Sequence, residues 1–528
     1  MANFNVNDDA IVAKELQEMK EWMSSERFKY TERPYTPEQV VACRGDIGSV
    51  TSSEHMYAPL ATKLYNLVRA RFNEGKYSHT FGCLDPVQLV QMNKYLETVY
   101  VSGWQASSTA SSSNEPGPDF ADYPANSLPQ KVDQLFKAQQ FHARKQRNAR
   151  SKMSAEEKKN TPVVDYFRPI VADGDTGFGG MTSVTKLIKM MIESGASGVH
   201  LEDQKVGAKK CGHLGGKVLV PVREHADRMA AARLQADIMK HPLVLVCRTD
   251  ADSANFLEND IDPRDHPYIA GATNKEVGFS VDAEDPIAWM DKAGLMRYSD
   301  AVAAAMKKAG KGNLVDKWMK DSMALSNDEA KALATKLGFG DVFWCKQAPR
   351  SREGFFRVIG GIDYAVMRAI AFSPVSDMIW CETSTPSIPE IADFANGVHA
   401  VVPHQICAYN LSPSFNWSIA GSDNDIRNFQ KELGKLGITW HFVTLFGFHT
   451  NALAIDQAAK AYAGPDGMLA YVQMVQNQER VHGVETLTHQ KWSGAELMDD
   501  VLQAATGGGA STSALHGATE DQFKQSKL

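Results

Sequence analysis

The sequence predicts an α/β protein: a (β/α)8 TIM barrel with an N-terminal helical extension and an inserted helical subdomain. Three observations carry this prediction. Eight short apolar runs recur along the chain, at 79–85, 99–104, 169–175, 198–204, 243–252, 378–384, 406–414 and 440–447. Each is too short and too continuously apolar for an alternating surface strand, so each reads as a buried parallel strand. Helical spacing fills several of the gaps, and strand–helix alternation of this count suits a closed barrel. The runs also end in polar residues: Ser102, Asp173, Asp175, Glu202, Asp203, Arg248, Thr249, Asp250, Glu382, Asn410, Ser412, Ser414 and Thr444. In such a barrel the C-terminal strand ends converge on the functional site.

Taken in order, residues 1–75 read as the helical extension and 76–254 with 353–505 as the barrel. Residues 107–129 are Ser- and Pro-rich and read as a loop. Val184, Leu187, Ile188, Met191 and Ile192 fall on one helical face, closed by Gly195. Ile388, Ile391, Ala395, Val398 and Val402 repeat the pattern after Pro386. Residues 255–352 interrupt the alternation with a polar loop and helical pieces such as YSDAVAAAMKKAG, which predicts an inserted subdomain. Residues 506–528 form a Gly- and Ser-rich tail.

Composition excludes several classes. Of 528 residues, 43% are hydrophobic and 23% charged, as in ordinary globular proteins. A net charge of −7 argues against nucleic acid or an anionic membrane as the main partner. No run approaches the roughly 18 apolar residues of a membrane span. Seven cysteines without a CxxC pair point to a reducing compartment, with thiols packed or reactive. The N-terminus lacks a secretory or mitochondrial leader pattern. The terminal Ser526-Lys527-Leu528 is a peroxisomal address read by an import receptor, so a peroxisomal or glyoxysomal location is expected.

The most unusual stretch is KKCGHLGGK, residues 209–217. One Cys and one His among lysines make a poor zinc site, and the GxxxxGK[ST] pattern of a phosphate loop is absent. As a thiol site it is coherent: Lys209, Lys210 and His213 are expected to lower the pKa of Cys211 and stabilise its thiolate. The competing reading is a basic surface loop with an incidental cysteine. In VADGDTGFGG, Asp173 and Asp175 can hold a hard cation such as Mg2+ if the strand ends between them, since they otherwise point to opposite faces. The competing reading is a cap on the following helix. Arg248 can fork onto a carboxylate, NLSPS offers an amide and two hydroxyls, and SGW offers a hydroxyl and a close backbone. Together these fit a small polycarboxylate and a divalent cation.

Through KKCGHLGGK, VYVSGWQ, ADGDTGFGG, HLEDQ, RTDAD, WCETSTP and AYNLSPSFNW, residues from about 60 to 505 resemble the isocitrate lyase family of the phosphoenolpyruvate mutase/isocitrate lyase superfamily. The long 255–352 insert is similar to the fungal and plant form. The resemblance implies Mg2+-dependent retro-aldol cleavage of isocitrate to glyoxylate and succinate, the branch step of the glyoxylate cycle, with Mn2+ able to substitute. It implies a homotetramer whose last helix is exchanged between neighbours. It also implies roles. Cys211, His213 and Tyr100 would be catalytic, with Tyr100 a base on the substrate hydroxyl and Cys211 the acid that protonates the carbanion. Ser102, Gly103, Trp104, Gly212, His213, Arg248, Asn410, Ser412, Ser414 and Thr444 would bind the tricarboxylate. Asp173 would be the principal metal ligand, supported by Asp119, Asp175 and Glu202. Two positions depart from the family: Asp363 stands where bacterial members carry Glu, and Phe446 where Ala is usual. The nearest alternative is 2-methylisocitrate lyase, which differs by one methyl, a discrimination of only ~1–3 kcal/mol. A phosphonate or phosphoryl mutase of the same barrel would not need both the Cys loop and the NLSPS donors. A barrel kept as a binding scaffold would not need to retain Cys211, His213, Asp173 and Arg248 together.

Overall fold

The computed structural model describes residues 8–45, 54–111, 115–515 and 517–524. All eight predicted runs are parallel strands of one sheet: β1 Ser78–Phe81, β2 Val99–Val101, β3 Ile170–Asp173, β4 Gly198–Glu202, β5 Val244–Thr249, β6 Met378–Cys381, β7 Ile406–Asn410 and β8 Ile438–Val443. Neighbours pair in the ring order β1-β8-β7-β6-β5-β4-β3-β2, and a parallel bridge between Gly82 and Tyr100 joins the two ends. Gly82 is required there, because a Cβ would lie 2.0 Å from the Thr444 carbonyl oxygen.

Strand alternation builds the interior in layers. Val171, Val244, Met378 and Ile406 point inward near the strand starts, followed by Tyr100, Val246, Trp380, Ala408, Trp440 and Phe442. The aromatic rings fill the centre: Trp440 stacks on Phe442 at 4.4 Å, and Trp380 meets Phe442 edge-on at 4.9 Å. Leu64 and Val68 of helix Ala58–Glu74 join this cluster beside the strand starts and close that mouth. Two residues further along seven of the eight strands, the same inward face turns polar. Tyr100 is followed by Ser102, Val171 by Asp173, His200 by Glu202, Val246 by Arg248, Trp380 by Glu382, Ala408 by Asn410 and Phe442 by Thr444. The period of two therefore sets one ring of functional groups on an aromatic floor.

Both helical patterns form. Met181–Glu193 buries Val184, Leu187, Ile188, Met191 and Ile192, and Gly195 follows at φ 98°. Ile388–His399 buries Ile391, Phe394, Ala395 and Val398. Within 255–352 lie helices Pro286–Ala293, Tyr298–Lys308, Val315–Ser322 and Asn327–Lys336, with a small core of Ala272, Trp289, Ala293 and Ala348. The chain divides into two compact units. The first is Met1–Gly82, Glu97–Asp133 and Pro169–Thr444; the second is Cys83–Leu96, Gln134–Arg168 and Leu445–Leu528. Residues 445–505, read from sequence as barrel, thus belong to the second unit, which contains helices Phe446–Tyr462 and Ala495–Ala505. No described helix is long and apolar enough to cross a membrane. Ser526, Lys527 and Leu528 lie outside the described residues.

Buried ion pairs fasten the extension to the barrel. Asp377, just before β6, accepts from Arg27 at 2.6 Å, from Arg233 at 2.6 Å and from the Leu245 amide at 2.9 Å. Burial opposes the charge of this carboxylate, but the two guanidinium groups hold its pKa well below the usual range. Asp377→Ala would leave the buried Arg233 and the half-buried Arg27 without their anion, a loss of about 3–5 kcal/mol. Calorimetry should show a marked fall in Tm at neutral pH. Because the folded pKa is depressed, that contribution should fade in the wild type as pH falls through the carboxylate range.

Candidate active site

The polar ring is bound together by one lysine. Lys209 is buried, and its Nζ lies 2.6 Å from Asp119 Oδ1, 2.6 Å from Asp175 Oδ1 and 3.7 Å from Glu202 Oε1. Burial opposes its charge, but the surrounding carboxylates raise its pKa well above the ordinary lysine value. β3 ends at Asp173, and Asp175 then takes a left-handed φ of 48°. That turn brings both aspartates into one cluster, with the Asp175 amide donating to Asp173 Oδ1 at 2.9 Å. Neither caps the next helix, whose N-cap is Gly180. Tyr123 donates to Asp175 Oδ2.

Ser102 caps helix Gly103–Thr109 by accepting from the Gln105 amide at 3.3 Å. The Gly103 amide donates to Asp173 Oδ2 at 2.9 Å, and a Cβ on Gly103 would sit 2.7 Å from that oxygen. The carboxylates remain short of positive charge. Burial and the neighbouring Asp175 push Asp173 up to about 6; burial pushes Asp119 up to about 6 against the pull of Lys209. Burial raises Glu202 well above the usual range despite Arg248 and Lys209. Among the described residues, no three His, Cys, Asp or Glu side chains form a group able to hold an ion alone. A cation here would take one or two carboxylates and complete its shell with water and substrate oxygens, a habit that suits Mg2+.

On the other side stands Arg248. Its Nε and Nη2 fork onto Asp250 at 3.1 and 3.0 Å, Nη1 reaches Glu202 at 3.0 Å and Nη2 reaches Glu382 at 3.5 Å. Asp250 thus takes the fork that the sequence reading assigned to substrate. Glu382 accepts from Asn410 Nδ2 at 3.2 Å and lies 3.2 Å from His213 Nε2. Burial pushes Glu382 up, but Arg248 and His213 bring it below the ordinary value. Gly212 runs against this group, and a Cβ would be 2.5 Å from Arg248 Nη2. Ser412 Oγ accepts from the Ser414 amide at 3.1 Å. A cavity of about 500 Å³ opens among Trp104, Pro116, Cys211, His213, Leu214 and Ser414. A larger one of about 770 Å³, beside helix Ala58–Glu74, is lined by Arg27, Tyr65, Arg69 and His404. Its arginines are taken by Asp377 and the His404 carbonyl, and neither Cys211 nor a carboxylate of the cluster lines it.

The isocitrate lyase family matches residues 15–523, beyond the 60–505 recognised by motif. The chain belongs to this family. It is 47% identical to isocitrate lyase of Oryza sativa subsp. japonica over 97% of this chain and 93% of that protein. Identity to isocitrate lyase of Pinus taeda is 46%, over 99% and 95%. Mitochondrial 2-methylisocitrate lyase of Hypocrea atroviridis is 40% identical over 98% and 95%.

Several expectations change. Cys211 is not pushed toward the thiolate: burial and Asp119 raise its pKa, against the pull of the His213 amide, Lys209 and Arg248. Lys210 lies over the Phe120 ring at 4.6 Å, and Lys209 is committed to the acids. Tyr100 lies on the aromatic floor, its hydroxyl 3.0 Å from His200 Nε2 and 3.4 Å from Asp173 Oδ2. Burial and Asp173 raise its pKa well above the ordinary tyrosine value, which disfavours the phenolate that a base role requires. Asp363 stands apart from the acid cluster, paired with Arg297 of the insert at 2.5 and 3.2 Å. Phe446 opens a helix of the second unit and is 50% exposed. Sequence reasoning missed Tyr123 and His200, and it treated Asp250 and Glu382 only as strand-end polar residues. The two-residue step from Trp380 could have singled out Glu382. Alkylation of Cys211 by iodoacetamide, read by peptide mass spectrometry, should have its pH midpoint above the ordinary cysteine value of about 8.5.

Proposed function

We propose that this protein cleaves isocitrate to glyoxylate and succinate, as the names of its 44–47% identical plant and yeast relatives suggest. The observation that carries the reading is the Cys211 thiol, which lines a cavity with Trp104, His213 and Ser414 and lies within electrostatic reach of Asp119 in the carboxylate cluster and of the cation Arg248. A retro-aldol step needs these two regions. The C2–C3 bond breaks, its electrons stay on the succinate portion, and a proton must reach that carbon. Cys211, held as a thiol, is the donor. Arg248, Asn410, Ser412, Ser414 and Thr444 would bind carboxylate groups and steady the spreading charge. Asp173, with Asp119, Asp175 and Glu202 in support, would hold Mg2+ or Mn2+. When bound, that ion supplies Lewis-acid polarisation of the substrate oxygens. His213, pinned by Glu382, and the Gly103 and Gly212 backbones shape the walls, while Trp104 and Leu214 limit water access.

We also propose a homotetramer in the peroxisome or glyoxysome, addressed through Ser526-Lys527-Leu528 to its import receptor. The second unit by itself supports association: Ile455, Tyr462, Met468, Tyr471 and Met474 line an apolar cavity of about 470 Å³, and Leu453 and Val481 are exposed. Light scattering on the purified chain should give four times the monomer mass; a monomer would overturn the assembly.

The deciding assay supplies isocitrate or 2-methylisocitrate with Mg2+ and traps the 2-oxoacid product as its hydrazone. Glyoxylate from isocitrate, lost with EDTA and in Cys211→Ser, is the expected result. Since the cluster acids take up protons near pH 6, more Mg2+ should be needed below that pH. Preferential pyruvate from 2-methylisocitrate would keep the chemistry and change the substrate. Cleavage of neither would overturn the lyase reading.

A further inference from the structure

We propose that Lys217 is a positioning residue that seats the Cys211 loop by tethering the Gly212 carbonyl to Asp250, the carboxylate that also holds Arg248. This rests on the lyase reading of the loop. Lys217 is buried, a costly place for an ammonium group unless it is paired and hydrogen-bonded. Its Nζ donates to the Gly212 carbonyl at 2.8 Å and to Asp250 Oδ1 at 3.0 Å. Thus the lysine that ends the loop folds back and grips the peptide beside the reactive cysteine.

The anchor itself is fixed. The Asn255 and Phe256 amides donate to the Lys217 carbonyl at 3.2 and 3.1 Å, and the Gly216 amide donates to Asn255 Oδ1 at 2.8 Å. On its far side Gly212 lies against Arg248 and Glu382 with no room for a Cβ. The peptide is therefore held from both sides: its carbonyl by Lys217, its α-carbon by the Arg248 group. Asp250 Oδ1 accepts from Lys217 and Arg248, each at 3.0 Å, so one carboxylate sets the loop and the guanidinium in a common register. Lys209 anchors the other end of the loop in the acid cluster. Cys211 and His213 thus lie between two buried lysines that are each anchored by carboxylates, the positional control that catalysis rewards.

The test compares Lys217→Met, which keeps length and loses both donors, with Lys217→Gln, whose amide can still reach a carbonyl. Thermal melts establish that each variant is folded. In Lys217→Met, kcat for isocitrate should fall by about 100-fold, the scale of a displacement near 1 Å, while KM changes far less. Alkylation of Cys211 by iodoacetamide in the metal-free protein, followed by peptide mass spectrometry, should accelerate as the loop is released. Lys217→Gln should recover part of both properties; if Lys217→Met does not fold, intermediate kcat and alkylation in Lys217→Gln support the tether. Wild-type kcat and wild-type alkylation in the folded variants would overturn it, as would a fall in kcat with alkylation unchanged. If the wild type cleaves no isocitrate, the lyase reading fails, yet the alkylation rates still decide whether Lys217 holds the loop.

Discussion

A lysine ammonium enclosed by carboxylates holds the mouth of this barrel together. Asp119, Asp173, Asp175, Glu202, Asp250 and Glu382 are all buried there, while the fixed cations are Lys209, Lys217 and Arg248. Such a concentration of like charge is unstable in a low-dielectric setting unless each cation is shared. Lys209 is shared among Asp119, Asp175 and Glu202, and Arg248 among Glu202, Asp250 and Glu382. Removing either would release several acids at once. The depth of the cysteine loop depends on the same sharing, because Lys209 and Lys217 are its two ends.

The barrel was legible because strand burial and strand ends write themselves into composition. Eight continuous apolar runs are what a sheet covered on both faces requires, and their polar endings are what an open top requires. The ring of site residues was legible for the same reason: it continues the inward-facing alternation by one step. Charge partnership was less readable. Lysines next to a cysteine suggest a thiolate, but Lys209 turns toward acids from three other segments, and burial then raises the pKa of Cys211. Arg248 is likewise two residues from Asp250, and that proximity gives the fork to an internal partner. Asp363, noted in the sequence only as a departure from the family, shows the same limit: its partner Arg297 lies 66 residues away in sequence. The second unit escaped notice because it is assembled from three separated segments, and no local pattern encodes which distant helices will pack together.

Among Asp377, Asp250, Asp173, Asp119 and Glu202, all buried, the direction of the shift follows how much positive charge each carboxylate has beside it. Asp377 lies between two arginines, and Asp250 between Arg248 and Lys217; both are held below the ordinary range although buried. Their charges are already balanced, so they need nothing from outside. Asp173, Asp119 and Glu202 share one lysine and part of one arginine, and all three are raised. Burial alone does not explain the contrast, since both groups are buried; the local ratio of cation to carboxylate does. A raised cluster stores unfavourable charge that an incoming divalent ion would relieve, whereas a depressed one would resist it. The same balance reaches Cys211, where burial and Asp119 raise the pKa against the pull of the His213 amide, Lys209 and Arg248, so its proton is held in the field of acids that lack a cation.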